Sequence, residues 1–549
     1  MSQKAKKDFI FKKHMSIGEV DAENDQKFLK NCFVDNGDYE VLEDTESPQS
    51  IIVGRTGVGK SALISHLINN SQHKIIEIEP EELALKHISN STILTFFESL
   101  GVNLDIFYNL LWQHTFAVEL IKSRYSITDE SQKRTFFTKI EQLISGNIRK
   151  KEALDYLENW GESFWVSTEL RIKEFTEKLE SSLKAGLKTK LGNIDLSSDS
   201  TNKLTEEQKS EIIHYGKKVV NDVQIKKLSK IINLLADDIF NDPQRKYFIV
   251  IDRLDEKWVE DDLRYKLIRA LIESIKKFRK IETVKIIITL RKDLLGRVIE
   301  KTRDSGFQLE KYKTLFLNIG WDKSQLYQLI DKRINKLLKY KYISSEVSFE
   351  DVFPSRMDKV SALDYILDRT LLRPRDAVMF INECLSEAQN KTEITSSIIK
   401  SAEKSYSLER KESLEYEWFV EHKHLKVYID ILHDRKKNFK VSEIKKEELE
   451  QIILQISEDK SAYADDVITT SQLYLNSEYP QNDTYLRMLK QKLLFTLYKV
   501  GIIGIKTTGT SSVKWIHDKT QDITYQKIEN SSVIYIHKML WRTLAIDTR

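Results

Sequence analysis

The chain has 549 residues, a formal net charge of +3, and 17 Gly and 6 Pro against 31% charged residues. This composition favours a mostly helical protein with a large core, and the charge is too near zero to indicate a nucleic-acid partner. The only two cysteines, Cys32 and Cys384, are far apart in the sequence, which argues against a disulfide framework and fits a reducing cytoplasm. No apolar run is long enough to span a membrane.

Residues 1–48 form an N-terminal segment before the first predicted strand, 49–53. The strand leads into a match to G-x-x-x-x-G-K-[ST] and then into an apolar helical run, which is the order that a phosphate-binding loop requires. Lys60 is expected on the β- and γ-phosphates of ATP, and the Ser61 hydroxyl on Mg²⁺. The predicted cofactor-binding residues are Gly54, Arg55, Thr56, Gly57, Val58, Gly59, Lys60, Ser61 and Ala62.

A second strand is predicted at 74–80, and the next strong strand begins only near residue 246. The intervening stretch, 81–242, has helical spacing, so we expect an inserted helical subdomain that serves subunit contact or partner sensing. An aromatic cluster of Trp160, Phe164 and Trp165 is expected in its core, and the polar residues 193–210 are expected to form a loop.

The third strand, 246–252, is a near-continuous apolar run that ends in Asp252, as a buried parallel strand does. A carboxylate at this end of the strand predicts a second Mg²⁺ ligand beside Ser61. Asp255 and Glu256 follow, and either could orient or deprotonate the attacking water; Glu256 is favoured. The alternative for both acids is a helix N-terminus, where acidic residues are common.

A fourth strand, 284–290, carries Thr289 and leads to Arg291. Either residue could contact the γ-phosphate at the carboxyl edge of the sheet, and the alternative is the start of a surface helix. The last core strand is predicted at 314–319. Residues 49–80 and 243–320 thus predict an α/β fold with the parallel sheet of a P-loop NTPase.

Residues 321–411 have a helical pattern and predict a lid over the nucleotide. Arg373 and Arg375 flank Pro374, and each guanidinium could contact bound nucleotide or form a structural salt bridge. Residues 412–549 combine helices with a β-hairpin, whose returning strand is expected at 513–517, and this predicts a winged-helix-like domain. Its lysines lie among glutamates, so DNA is a possible partner only.

Four stretches, 54–61, 249–256, 289–294 and 373–376, resemble the bacterial STAND- and KAP-like P-loop ATPases, which are related to the AAA+ and origin-recognition ATPases. One departure is Arg253, where STAND proteins usually carry a small residue. The resemblance implies an ATP-hydrolysing regulatory switch that forms a homo-oligomer. It also implies a partner effector protein encoded nearby, in anti-phage defence.

The competing hypothesis is a DNA-binding motor or repair ATPase that uses the C-terminal winged helix. A third hypothesis, a self-contained effector, lacks support because the sequence shows no HNH-like cluster and no paired-carboxylate nuclease motif. A GTPase is disfavoured because the sequence has no N-K-x-D motif to read the guanine base.

Overall fold

The computed structural model describes the following residues: 10–80, 96, 99–100, 104–126, isolated positions between 134 and 188, 204–218, 225–256, 258–302, 309–339, 346–458, 465–477, 481–517 and 523–548. Most of the predicted insertion lies outside these residues, including Trp160, Phe164 and Trp165 and the first part of the predicted loop. The loop prediction was wrong for its last residues, because 206–210 belong to the helix Glu206–Lys218. Within the described ranges, no helix is both long and apolar enough to cross a membrane.

The strands are short and are listed in chain order: β1 Ile51–Gly54, β2 Lys74–Glu77, β3 Tyr247–Ile251, β4 Val284–Arg291, β5 Phe316–Asn318, β6 Arg356–Met357, β7 Val360–Ser361, β8 Asn438–Lys440, β9 Ile503–Lys506 and β10 Val533–Ile536.

The α-helices occupy most of the remaining described chain and are listed in the same order: α1 Gln26–Cys32, α2 Asp38–Glu43, α3 Lys60–Asn70, α4 Asp105–Tyr125, α5 Glu206–Lys218, α6 Ile225–Leu234, α7 Asp261–Phe278, α8 Lys292–Lys301, α9 Lys323–Leu338, α10 Ala362–Leu367, α11 Pro374–Glu387, α12 Ser396–Glu417, α13 Leu425–Asp430, α14 Lys446–Ile456, α15 Asp466–Leu475 and α16 Gln481–Val500.

The central sheet has five strands in the order β2-β3-β4-β1-β5, and every neighbouring pair is parallel. The connection from β1 to β2 crosses the sheet past β4 and β3, whereas the connection from β4 to β5 crosses it past β1 in the opposite direction. Ligands of such sheets bind where connections diverge, outside the carboxyl ends of the strands. The predicted α/β fold of the P-loop NTPase type is confirmed, and the site is expected beyond β1, β4 and β3.

The chain divides into two compact units, and the sheet belongs to the unit formed by Asp35–Arg55 and Lys60–Ile319. Each residue of β1 and β3 is buried, because parallel strands of this kind are covered on both faces. Helices α4 and α7 supply much of the cover. The indole N–H of Trp112 on α4 donates to the carbonyl oxygen of Leu267 on α7 at 2.9 Å, so the largest buried side chain also has its polar atom satisfied.

The other unit comprises Met1–Val34, Thr56–Gly59 and Gly320–Arg549. Its helices α9, α11 and α12 share one hydrophobic core with α13 to α16. The C-terminal part of this unit contains a three-stranded antiparallel sheet in the order β8-β10-β9. The predicted returning strand at 513–517 is not formed as a strand: only a single antiparallel bridge joins Lys514 to Ile505, on the edge of β9 opposite to β10.

Candidate nucleotide-binding site

The phosphate loop connects the buried end of β1 at Gly54 to α3, which begins at Lys60. Gly57 and Gly59 have φ angles of +71° and +98°, in the left-handed region that side chains disfavour. This explains why glycine stands at both positions, since the chain must turn tightly here to bring its N–H groups toward an anion. Among the other predicted loop residues, Val58 is buried and the rest are partly buried: Arg55, Thr56, Ser61 and Ala62.

The Lys60 ammonium folds back onto its own loop. Its Nζ donates to the carbonyl oxygens of Gly54 at 3.4 Å and Arg55 at 3.2 Å. Burial lowers the pKa of Lys60, and the nearby carboxylates of Asp255 and Asp252 oppose that change. The Lys60 ammonium, in the loop beyond β1, therefore interacts electrostatically with both acids that follow β3.

Asp252 follows the last residue of β3, and its carboxylate is held by two donors. Its Oδ1 accepts from the Thr289 hydroxyl on the neighbouring β4, and also from the backbone N–H of Arg253 at 2.9 Å. Arg253 itself has a φ of +59°, which is uncommon for a residue with a side chain. The chain therefore turns sharply directly after Asp252.

The loop that carries Asp255 and Glu256, the two candidate general bases, is stabilised by Arg264, a buried residue of α7. Its Nη1 donates to the carbonyl oxygens of Asp255 at 3.3 Å and Glu256 at 2.9 Å, while Nη2 donates to Asp261 at 2.8 Å. The sequence prediction missed Arg264. The available signal was a cation at an i, i+3, i+4 position shared with Leu267 and Ile268 on the buried face of this helix.

The side chains of the two acids point to different partners. The Asp255 Oδ2 lies 4.0 Å from the Nε of Arg291, and the Glu256 Oε1 lies 3.9 Å from the Nε of Arg253. Arg291 also forms a paired contact with Asp293, at 3.1 and 2.8 Å. Asp255, Arg291, Lys60 and Asp252 therefore belong to one electrostatic group, and the choice between Asp255 and Glu256 as base stays a prediction.

Arg373 has a different environment from the residues above. It is 2% exposed, and its Nη1 lies 3.2 Å from each carboxylate oxygen of Glu417 at the end of α12. Arg410 completes this buried network, with Nε 3.3 Å from Asp376 and Nη2 3.4 Å from Glu417. In this arrangement the guanidinium of Arg373 forms an ion pair between the start of α11 and the end of α12. Its contact with nucleotide stays a prediction.

Arg375 and Trp321 contact the tip of the phosphate loop, residues Thr56–Gly59, which belongs to the same unit as they do. The Arg375 backbone N–H donates to the Gly57 carbonyl oxygen at 3.4 Å, and its Nε donates to the Val20 carbonyl oxygen at 3.2 Å. The Trp321 indole N–H donates to the Val58 carbonyl oxygen at 2.7 Å. Trp321 was missed as a site residue, because an aromatic residue after a strand has no distinctive spacing.

The donor set fits Mg²⁺ and a polyphosphate. Lys60 supplies a cation, Ser61 a hydroxyl and Asp252 a carboxylate, which are ligands that phosphate and Mg²⁺ prefer. Within the part of the chain that the structure describes, the buried Thr56 Oγ1 has no hydrogen-bond partner. An unsatisfied hydroxyl in such a loop has the chemistry to donate to an anion.

Comparison with known proteins gives three kinds of similarity. The model of the FunZ-associated C-terminal helical domain matches residues 324–415. An 80.3 kDa protein of Escherichia coli (strain K12), whose name associates it with transposon gamma-delta, is 23% identical over an alignment 553 positions long, which covers 98% of this chain and 68% of the relative.

Two solved structures resemble the chain loosely over nearly its whole length. The Walker-type ATPase PABY2304 of Pyrococcus abyssi has a TM-score of 0.34 and 13% identity, covering 96% of this chain and 97% of its own. The ORC2 protein of Aeropyrum pernix, solved as ADPNP–ADP complexes, has a TM-score of 0.33 and 10% identity, covering 94% of each chain.

Proposed function

We propose that this protein binds and hydrolyses ATP and uses the reaction as a regulatory switch. The observation that carries the proposal is the grouping of Lys60, Asp252 and Thr289 at the carboxyl ends of β1, β3 and β4. A cation, a carboxylate and a hydroxyl in this arrangement suit a nucleotide triphosphate with its metal ion.

In this proposal each group of the chain has a separate task. The loop backbone and Lys60 hold the phosphates, and Ser61 and Asp252 hold the metal ion. When bound, Mg²⁺ neutralises charge on the phosphate oxygens. Asp255 or Glu256 accepts the proton of the attacking water, and Arg264 keeps the backbone of both acids in place through its two carbonyl contacts.

Arg375 and Trp321 support a switch, because both contact backbone carbonyls of the loop tip from helical segments of the same unit. A rearrangement of the loop on nucleotide binding would change these hydrogen bonds and shift α9 or α11. We further propose the STAND- and KAP-like class: a cytoplasmic homo-oligomer that controls an effector in anti-phage defence. This part rests on the family resemblance alone.

A DNA-binding motor or repair ATPase is the second candidate. Support comes from the order of elements in the C-terminal part, in which β8, α14 to α16, β9 and β10 follow one another as in a winged helix. The transposon-associated relative also favours it. Against it, Arg435 is paired with Glu448 and Lys446 lies 3.8 Å from Glu450, so these cations are partly neutralised.

Phosphate release by the full chain and by Lys60→Ala tests the proposal, with Lys311→Ala, an exposed lysine outside the loop, as the matched control. We expect Lys60→Ala to abolish turnover and the control to retain it. Turnover by Lys60→Ala equal to that of the wild type would refute an ATPase at this loop. Mass measurement with and without ATP then tests the switch, and severalfold stimulation by DNA would favour the motor.

A further inference from the structure

A cavity of about 390 Å³ lies within the unit that contains Gly320–Arg549, and no phosphate-loop residue is among its lining residues. Its walls come from the start of α9, the loop after α10, the edge strand β8, the chain that follows β9, and the end of β10. Ligand pockets commonly measure about 300–1,000 Å³, so the cavity has room for a small molecule. None of its lining residues takes part in the proposed ATPase chemistry.

One wall of the cavity is aromatic, with Trp515, Tyr535 and Trp541 among its lining residues. Trp515 is held firmly: a Cβ atom on Gly504 would lie 2.6 Å from its ring, so the indole rests directly on the backbone of β9. The ring of His537 meets Trp515 edge-on at 5.1 Å between centroids. The Trp541 indole N–H donates to a backbone carbonyl, which also fixes that ring.

The rim of the cavity is basic. Lys323, Lys437 and Lys538 line it, and Asp368 is the carboxylate among its described lining residues. The Asp368 oxygens accept from Lys323 at 2.6 Å and from Lys538 at 2.7 Å. Asp364, outside the lining, also accepts from Lys323 at 3.1 Å. Among the described residues, three ammonium groups therefore face two carboxylates, which leaves one positive charge in excess.

The Nζ of Lys437 donates to the backbone carbonyl of Thr548 at 2.9 Å, and no carboxylate of the described residues forms an ion pair with it. A neutral carbonyl does not neutralise the ammonium group, so an anion in the cavity would gain from its charge. Lys323 and Lys538 are 46% and 41% exposed, so the rim is open to solvent and to a ligand that extends beyond it.

We propose that this cavity binds a nucleotide unit, with its base against Trp515 or Trp541 and its phosphate on Lys437. Planar aromatic faces beside ammonium groups select a ligand that is both a flat ring and an anion. The same chemistry is offered by a free mononucleotide and by one residue of a single-stranded nucleic acid. The site is separate from the phosphate loop and does not depend on ATP hydrolysis there.

Calorimetric titration of the full chain carrying Lys60→Ala tests the proposal, because that background removes the cation expected to bind the β- and γ-phosphates. One arm uses the four nucleoside monophosphates, and the other uses a labelled single-stranded oligothymidylate followed by fluorescence anisotropy. Each arm is repeated with Trp515→Leu, with Lys437→Gln, and with Lys436→Gln, the exposed neighbour outside the lining, as the matched control.

We expect Trp515→Leu to weaken binding roughly 5- to 150-fold, the loss typical of one stacked base. Lys437→Gln should weaken it severalfold, and Lys436→Gln should leave it unchanged. This pattern with the monophosphates identifies a free nucleotide, and the same pattern with the oligonucleotide alone identifies a strand. The proposal is overturned if neither probe binds at millimolar concentration, or if Lys436→Gln and Lys437→Gln weaken binding equally. Should Trp515→Leu prove unfolded in a thermal melt, the two lysine variants alone decide.

Discussion

The hydroxyl of Thr289 offers a sharp test of how the candidate site is built. Thr289 is 1% exposed in β4, and its hydroxyl donates to the Oδ1 of Asp252, the proposed Mg²⁺ ligand. Thr289→Val keeps the shape and β-branching of the side chain but removes this donor. Of its two donors among the described residues, Asp252 would then keep the backbone N–H of Arg253.

The expected size of the effect follows from the contacts. A hydrogen bond to a charged group contributes about 1.5–3 kcal/mol when it is fully buried. Asp252 is only partly buried, and water can replace part of the loss, so we expect the free energy of unfolding to fall by about 1 kcal/mol. Groups that orient a metal ligand typically change metal affinity or activity 10- to 100-fold, so kcat/KM for ATP should fall by roughly that factor.

Phosphate release at several Mg²⁺ concentrations, together with urea unfolding, measures both quantities. Thr289→Ser is the control, because it retains the hydroxyl and should stay within a few-fold of the wild type. If Thr289→Val hydrolyses ATP within twofold of the wild type at limiting Mg²⁺, Asp252 does not need this donor and the assignment of its role fails.

Three further predictions concern other charged groups. Glu256→Gln should trap bound ATP if Glu256 is the base, whereas unchanged turnover together with loss in Asp255→Asn would transfer that role to Asp255. Arg373→Met should lower the free energy of unfolding by about 3–5 kcal/mol, because it removes a cationic partner from the buried Glu417 carboxylate. Arg375→Ala should instead lower turnover with stability nearly unchanged, and urea unfolding together with phosphate release separates the two outcomes. Burial lowers the pKa of Lys285 from 10.5 to about 7, so between these pH values the unfolded chain binds a proton that the folded chain does not. The free energy of unfolding should therefore rise with pH across this window, and be lost as pH falls toward 7, by on the order of 1 kcal/mol per pH unit. Urea melts of a Lys285→Met variant that show the same dependence of stability on pH would contradict this.

Much of the sheet was predictable because its strands are continuous apolar segments with polar residues at their ends. Each of the five predicted core strands overlaps an observed one, from β1 to β5. The returning strand expected at 513–517 is reduced to one bridge, from Lys514 to Ile505, whereas β10 pairs with the opposite edge of β9 along four residues. Local pattern does not reveal how many residues of a segment will pair.

The residues that support the site were harder to find. Arg264 and Trp321 lie outside the motif stretches and act through backbone carbonyls within them, at Glu256 and Val58, and a carbonyl acceptor leaves no trace in the sequence. Arg373 illustrates the same limit. Its partner Glu417 lies 44 residues away, and only the packing of α11 against α12 brings the two charges together.

The sequence alone therefore determined the phosphate loop and the position of Asp252, because both depend on short-range geometry: a strand end, two glycines with positive φ, and a helix start within a few residues. The tertiary structure decided which groups surround them. Neighbouring strands that are distant in the chain place Thr289 on Asp252, and helix packing gives Arg373 a buried carboxylate partner. Such partners follow from long-range packing, which residue spacing does not encode.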